Sequence, residues 1–153
     1  MNATRASLAE LLAEDSIERV PVDADVAGNL LRQAGNHLRT AKAGAAGGDN
    51  EGAFQLAYDA CRKTCLALVL AMGLRPKGDA PHVTTFKAAA AIADSFGAAT
   101  LVNDAGNLRY VRHGAEYRAE TVGGTDVQDA IDIGEELLEA LSPRVEQIIA
   151  ASK

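Results

Sequence analysis

The sequence predicts an all-α fold, an up-and-down bundle of four to five helices preceded by an extra short N-terminal helix. Three observations lead there. Of the 153 residues 48% are hydrophobic but only 4% are aromatic, and none is tryptophan; much of the apolar content is alanine, which favours closely packed helices over a sheet built on β-branched and aromatic side chains. Apolar residues recur at three- and four-residue steps through most of the chain. Glycine- and proline-rich breaks separate those periodic stretches. One domain accounts for residues 1–153, with a helical extension over 1–20 and the bundle over 25–150.

Ser7 and Glu10 form a capping box ahead of Leu8, Leu11 and Leu12, starting a first helix that ends near Asp15. Val26, Leu30, Leu31, Ala34, Leu38 and Ala41 define an amphipathic helix from about Asp25 to Ala43, stopped by "GAAGGDN". Asp49 or Asn50 caps the next helix. Its inward stripe is Ala53 or Phe54, Ala57, Cys61, Thr64, Cys65, Leu68 and Met72, and Gly73 closes it. These two helices form an antiparallel pair.

After the turn "GLRPKGDAPH", Val83 to Phe96 makes a third bundle helix with Phe86, Ala89, Ile92, Ala93 and Phe96 inward. Residues 98–102 are weakly β-like but lack a partner strand, and are expected in a loop. Helix resumes from Ala105 to about Tyr117, with Leu108, Val111 and Ala115 facing the core. Thr125 and Gln128 form another capping box, and Val127, Ala130, Ile131, Gly134, Leu137, Leu138 and Leu141 continue into a long last helix. Pro143 lacks an amide donor and clashes with the preceding turn, so it should kink or restart that helix; Val145, Ile148 and Ile149 carry the apolar face beyond it.

The formal net charge is -6, so no field over the whole molecule draws it to nucleic acid or an anionic membrane. Its distribution is uneven. Residues 105–120 hold three arginines against two acids, whereas residues 121–153 hold seven acids against two cations. The longest apolar run, Cys65 to Met72, falls far short of the ~20 residues that span a bilayer, and "MNATRASLAELLAEDS" lacks an apolar signal core. No membrane association and a cytoplasmic location are expected. Cys61 and Cys65, four apart on one helix face, read as buried thiols rather than a disulfide or part of a metal site. No HExxH, Walker A or GxGxxG pattern occurs, and neither metal nor cofactor is expected.

Chemistry concentrates in "LRYVRHGAEYR", Leu108 to Arg118. On a helix Arg109 and His113 share one flank. Arg112 and Tyr117 point about 140° apart at 3.6 residues per turn, and converge only if the helix loosens near Gly114, a poor interior helix residue. Arginine forks suit phosphate, and a histidine titrating near neutrality suits proton transfer, so together they would cleave an RNA backbone without metal. Arg109, Arg112 and Arg118 are the phosphate-binding candidates. A structural account competes with this one: Arg112 to Glu116 is an i,i+4 pair, and Tyr117 would bury its ring. His37, between Arg32 and Arg39, reads as part of a charged flank, and His82 after Pro81 as a helix-start residue.

Read together, "LLRQAGNHLRTAKAGAAGGDNEGAFQLAYDACRKTCLALVLAMGLRP" and "NLRYVRHGAEYRAETVGGTDVQDAIDIGEELLEAL" resemble the HEPN superfamily, the higher eukaryotes and prokaryotes nucleotide-binding domains. The likeness covers roughly Asp25 to Leu141 and lies in the order of features: an alanine-rich helix, a "GD" turn, "AYDACRKTCLALVLAMG", a looped histidine, and "RHGAEY" ahead of the last helix. It implies a homodimer with the motif helices facing across a cleft. It also implies either a metal-independent ribonuclease, often a toxin paired with a nucleotidyltransferase antitoxin, or a non-catalytic domain that binds nucleotides or partners. Active members carry Arg, four to six residues, then His. Here Arg112 matches the arginine and Tyr117 stands at the histidine position; Arg109 and His113 enclose only three residues and are held in reserve. Tyrosine keeps a hydrogen bond but loses the proton chemistry near neutral pH. The expectation is therefore a dimer binding RNA or nucleotide through Arg112 and Tyr117, with weak or absent catalysis; an active endoribonuclease toxin and a structural or adaptor dimer are the alternatives.

Overall fold

Helix α1 (Leu8–Ala13) opens where Ser7 Oγ accepts the Glu10 amide at 3.1 Å, the serine half of the expected capping box. The structure, a computed structural model, describes residues 7–152, with all side chains except those of Glu116 and Tyr117. After α1 comes a strand that the sequence did not announce. β1 (Ile17–Arg19) pairs antiparallel with β2 (Leu74–Pro76), setting Ile17 opposite Pro76, Glu18 opposite Arg75 and Arg19 opposite Leu74. Three residues per strand are too few for alternation to register in a sequence. The pairing continues past both ends, through Val20 N to Gly73 O at 2.9 Å and Lys77 N to Ser16 O at 2.8 Å. Gly73 sits at φ +70, and a Cβ there would lie 3.1 Å from Val20 O, so the strand can approach because the residue is glycine.

Helix α2 (Ala24–Ala46) begins one residue earlier than the spacing indicated, because Asp23 caps it through the Asp25 and Val26 amides at 3.1 and 3.2 Å. Ala27, Ala34 and Ala41, seven residues apart, are fully buried beside Leu38. With so little side chain on that seam, α3 (Asn50–Ala71) lies close alongside. Asp49 caps α3 at Gly52 N, 2.9 Å away. This helix is the centre of the bundle, packing on α2, α4 and α7 and burying Phe54, Ala57, Cys61, Thr64, Cys65 and Leu68 as the stripe required. Met72, expected inward, is instead 40% exposed: α3 ends at Ala71, and as the cap residue Met72 leaves the spiral that carried the stripe.

Helix α4 (Pro81–Ala93) continues into a 3₁₀ turn at Asp94–Phe96. The expected loop over 98–102 is instead the start of a helix, α5 (Ala99–Asn107). Ala99, Val102, Ala105 and Gly106 bury one face, and a Cβ on Gly106 would lie 3.1 Å from Phe86 Cγ. Burial of that face on α4 overrides the weak β preference of Thr100 and Val102. The continuous helix expected from Ala105 is broken at Leu108, whose amide bonds to Ala105 O at 3.2 Å in a tightened turn; α6 (Arg109–Tyr117) then starts afresh. Leu108, Val111 and Ala115 pack partly buried against the core, as expected.

Helix α7 (Gly124–Ala151) begins at Gly123 without a side-chain cap. The Thr125–Gln128 box is not formed, since both residues already lie inside the helix; Gln128 Nε2 donates to Asp132 Oδ1 at 2.9 Å. Nor does Pro143 restart the helix, which runs through it unbroken. Glu139, whose carbonyl loses its amide partner there, is exposed, where water can serve that oxygen. Leu137 and Leu141 are completely buried, each contributing about 1.5–3 kcal/mol. Together the elements form an all-helical bundle with one small ribbon. Among the described residues no helix is long and apolar enough to cross a membrane.

Candidate anion-binding site

One polar stripe crosses the otherwise buried helix α3. Gln55 Nε2 donates to Asp59 Oδ1 at 3.5 Å, and Arg62 Nε lies 4.0 Å from the same carboxylate oxygen. Arg62 Nε is buried and makes no hydrogen bond to the described residues. Beside it Lys63 turns toward α2, donating from Nζ to Gln33 Oε1 at 2.9 Å, with His37 Nε2 also at 2.9 Å. The His37 pKa is lowered by burial first and by Lys63 next; Arg62 adds to this and Asp59 opposes it.

The neighbouring α3 residue Tyr58 is 2% exposed. Its ring packs against Phe86 at 5.8 Å between centroids, and the Arg112 guanidinium lies over it at 5.3 Å. Burial raises the Tyr58 phenol pKa, against the pull of Arg112, Arg109 and Arg62. Arg112 is thus braced on a buried aromatic ring. At the start of α4, His82 has its pKa lowered by burial, then by Arg62 and Arg112. Four helices therefore supply one cluster: His37 from α2, Arg62 and Lys63 from α3, His82 from α4, Arg109 and Arg112 from α6. Among the described side chains its carboxylate is Asp59. Among the described side chains cations outnumber carboxylates here, although the net charge of the chain is -6, and guanidinium forks match phosphate oxygens.

The residues singled out in the sequence divide. Arg112 is in the cluster. Arg109 is held at its edge, donating from Nη1 to Gly106 O at 3.1 Å and from Nη2 to Tyr110 Oη at 2.8 Å. His113 is exposed on α6. The Tyr117 side chain lies outside the described residues, and with it the pairing with Arg112. Gly114 does not loosen α6, which continues through it to Tyr117; its carbonyl accepts the Arg118 and Glu120 amides, both at 3.1 Å, and Ala119 at φ +52 turns the chain back. The Glu120 carboxylate then lies where a Gly114 Cβ would be. Arg118 pairs with that exposed carboxylate at 2.8 Å and is itself exposed.

His37 and His82, read from the sequence as a flank and a helix-start residue, both belong to the cluster. Arg62, Lys63 and Tyr58 were missed altogether, although a polar stripe at positions 55, 59, 62 and 63 of an apolar helix was a readable signal. Cys61 and Cys65 are free and buried as expected; burial pushes the Cys61 thiol up to about 12 and Cys65 well above the usual thiol range, so neither offers a thiolate. No family model, curated protein or solved structure matches the chain.

Proposed function

We propose that this protein is a HEPN-like domain that binds RNA or nucleotide through phosphate contacts at the cluster around Arg62 and Arg112, with weak or absent catalysis, and that it acts as a homodimer. The observation that carries the binding is the gathering of Arg62, Lys63, Arg109 and Arg112 around Tyr58 and Asp59, the one carboxylate of the cluster among the described side chains. A phosphate supplies the negative charge and the acceptor oxygens that such guanidinium and ammonium groups favour. The nucleotidyltransferase partner follows from the resemblance, as does the dimer, which the sequence also predicts as cover for Leu8, Leu11 and Leu12; within one chain Leu11 is buried and Leu8 and Leu12 pack against the core.

Fluorescence anisotropy with a labelled single-stranded RNA tests the reading. Affinity should fall with salt at a slope of about -0.7 per phosphate contact, and Arg62→Ala and Arg112→Ala should each weaken binding and flatten that slope. Salt-independent or absent binding overturns it, leaving a structural or adaptor role. A ribonuclease reading draws on one observation, that His82 on α4 feels both Arg62 and Arg112 and is biased toward its neutral, proton-accepting form. Metal-independent cleavage in EDTA that is lost in Arg112→Ala and His82→Ala would favour it; His113→Ala tests the reserve histidine.

A further inference from the structure

Tyr110 is 63% exposed, the most accessible large hydrophobic residue described. An exposed tyrosine ordinarily samples several rotamers, but this one is held. The Arg109 guanidinium lies 4.5 Å from its ring centroid and donates to its hydroxyl at 2.8 Å, while its other terminal nitrogen is fixed by Gly106 O at 3.1 Å. Gly106 is itself buried against Phe86, so the chain of contacts ends on a rigid part of the fold. One side of the ring is occupied by the guanidinium and the remainder is open to solvent. Arg109 also influences Tyr58, the ring on which Arg112 rests. Two cation–aromatic pairs therefore lie side by side, Arg112 on the buried Tyr58 and Arg109 on the exposed Tyr110, leading from the cluster to the surface.

We infer that Tyr110, held by Arg109, is a stacking platform for a nucleobase, so that the ligand of the adjoining cluster is a single-stranded polynucleotide. The inference rests on the phosphate-binding reading above and narrows it. A lone phosphate needs no aromatic surface, and a duplex keeps its bases stacked on one another. A single strand offers a free π-face beside each phosphate, and an ordered ring receives that face with little loss of side-chain freedom.

The test compares three probes on the full chain by anisotropy: a short single-stranded RNA, a ribose-phosphate strand of equal length lacking bases, and an RNA duplex. The base-bearing strand should bind about tenfold more tightly than the abasic one, and Tyr110→Ala should erase that preference while leaving abasic binding unchanged. Tyr110→Phe, which keeps the ring, should retain most of it. Because the chain has no tryptophan, Tyr110→Trp adds a direct readout: its indole fluorescence should be quenched by the base-bearing strand and left unchanged by inorganic phosphate. Equal binding of abasic and base-bearing strands, both salt-dependent, overturns the stacking role and leaves the phosphate site standing. No binding of any probe overturns the phosphate site as well. If Tyr110→Ala instead lowers the sedimentation mass with RNA affinity unaltered, the ring is a contact between copies and the inference is wrong.

Discussion

Lys63 Nζ and His37 Nε2 stand 2.9 Å apart, joining α3 to α2 through a contact in which only one partner can carry the proton. The ammonium is a donor in every orientation, so His37 Nε2 must accept and the imidazole must be neutral. A histidine whose pKa is lowered in the folded state binds fewer protons folded than unfolded, and stability therefore rises with pH. The same holds for His82. Their contribution should be complete above the ordinary histidine value of about 6.5 and lost as pH falls through the lowered folded values. Thermal melts between pH 8 and 5 should show this decline. Lys63→Met should raise the His37 titration midpoint followed by NMR; an unchanged midpoint would show that the contact does not govern the ring.

The same linkage would reach a ligand bound as proposed. An anion bound among Arg62, Lys63 and Arg112 favours protonated His37 and His82, so affinity for single-stranded RNA should increase as pH is lowered from 8 toward 6, with proton uptake measurable by calorimetry in buffers of different ionisation enthalpy. Combining His37→Gln with His82→Gln should flatten the profile.

Gly134 is where three helices meet. A Cβ there would lie 2.7 Å from Leu38 Cδ2, with Cys61 Sγ and Ala57 O just beyond. In an exposed helix, Gly→Ala gains up to about 1 kcal/mol; here overpacking should reverse the sign, and Gly134→Ala should destabilise by about 1–3 kcal/mol in urea unfolding. Leu38→Ala alone should cost about 2–5 kcal/mol. The double variant should be less destabilised than the sum of the two, because the new methyl enters the space the leucine leaves.

Pro143 lies inside α7, where it removes one intrahelical hydrogen bond and leaves the Glu139 carbonyl to solvent. Pro143→Ala should raise the urea midpoint, by up to about 3 kcal/mol in stability. Asp49→Ala should act in the opposite direction, by about 1 kcal/mol, through loss of the cap on Gly52 N.

The long helices were legible because burial and periodicity agree in them: the stripes through Ala34 and Leu38, through Cys61 and Leu68, and through Ile131 and Leu137 are the seams that pack. Helix α5 was hidden because nine residues give periodicity little room, so local preference dominated the reading. The ribbon was hidden because its partners lie 57 residues apart at Glu18 and Arg75. The arginine-rich stretch was visible as composition, but its meaning depended on what surrounds Arg112. Tyr58, Arg62 and His82 reach it from other helices, and no spacing within α6 encodes them. Nor does spacing encode the turn at Ala119 that brings Glu120 to Arg118.

The backbone of Val122 is clasped on both sides by consecutive side chains at the start of α3, its amide donating to Glu51 Oε2 at 3.0 Å and its carbonyl accepting from Asn50 Nδ2 at 3.2 Å. The segment leaving α6 is thereby riveted to the helix that carries Arg62 and Lys63. Deuterium uptake at this single buried amide becomes a strain gauge for the joint: any displacement of α6 that loosens the rivet should raise its exchange rate.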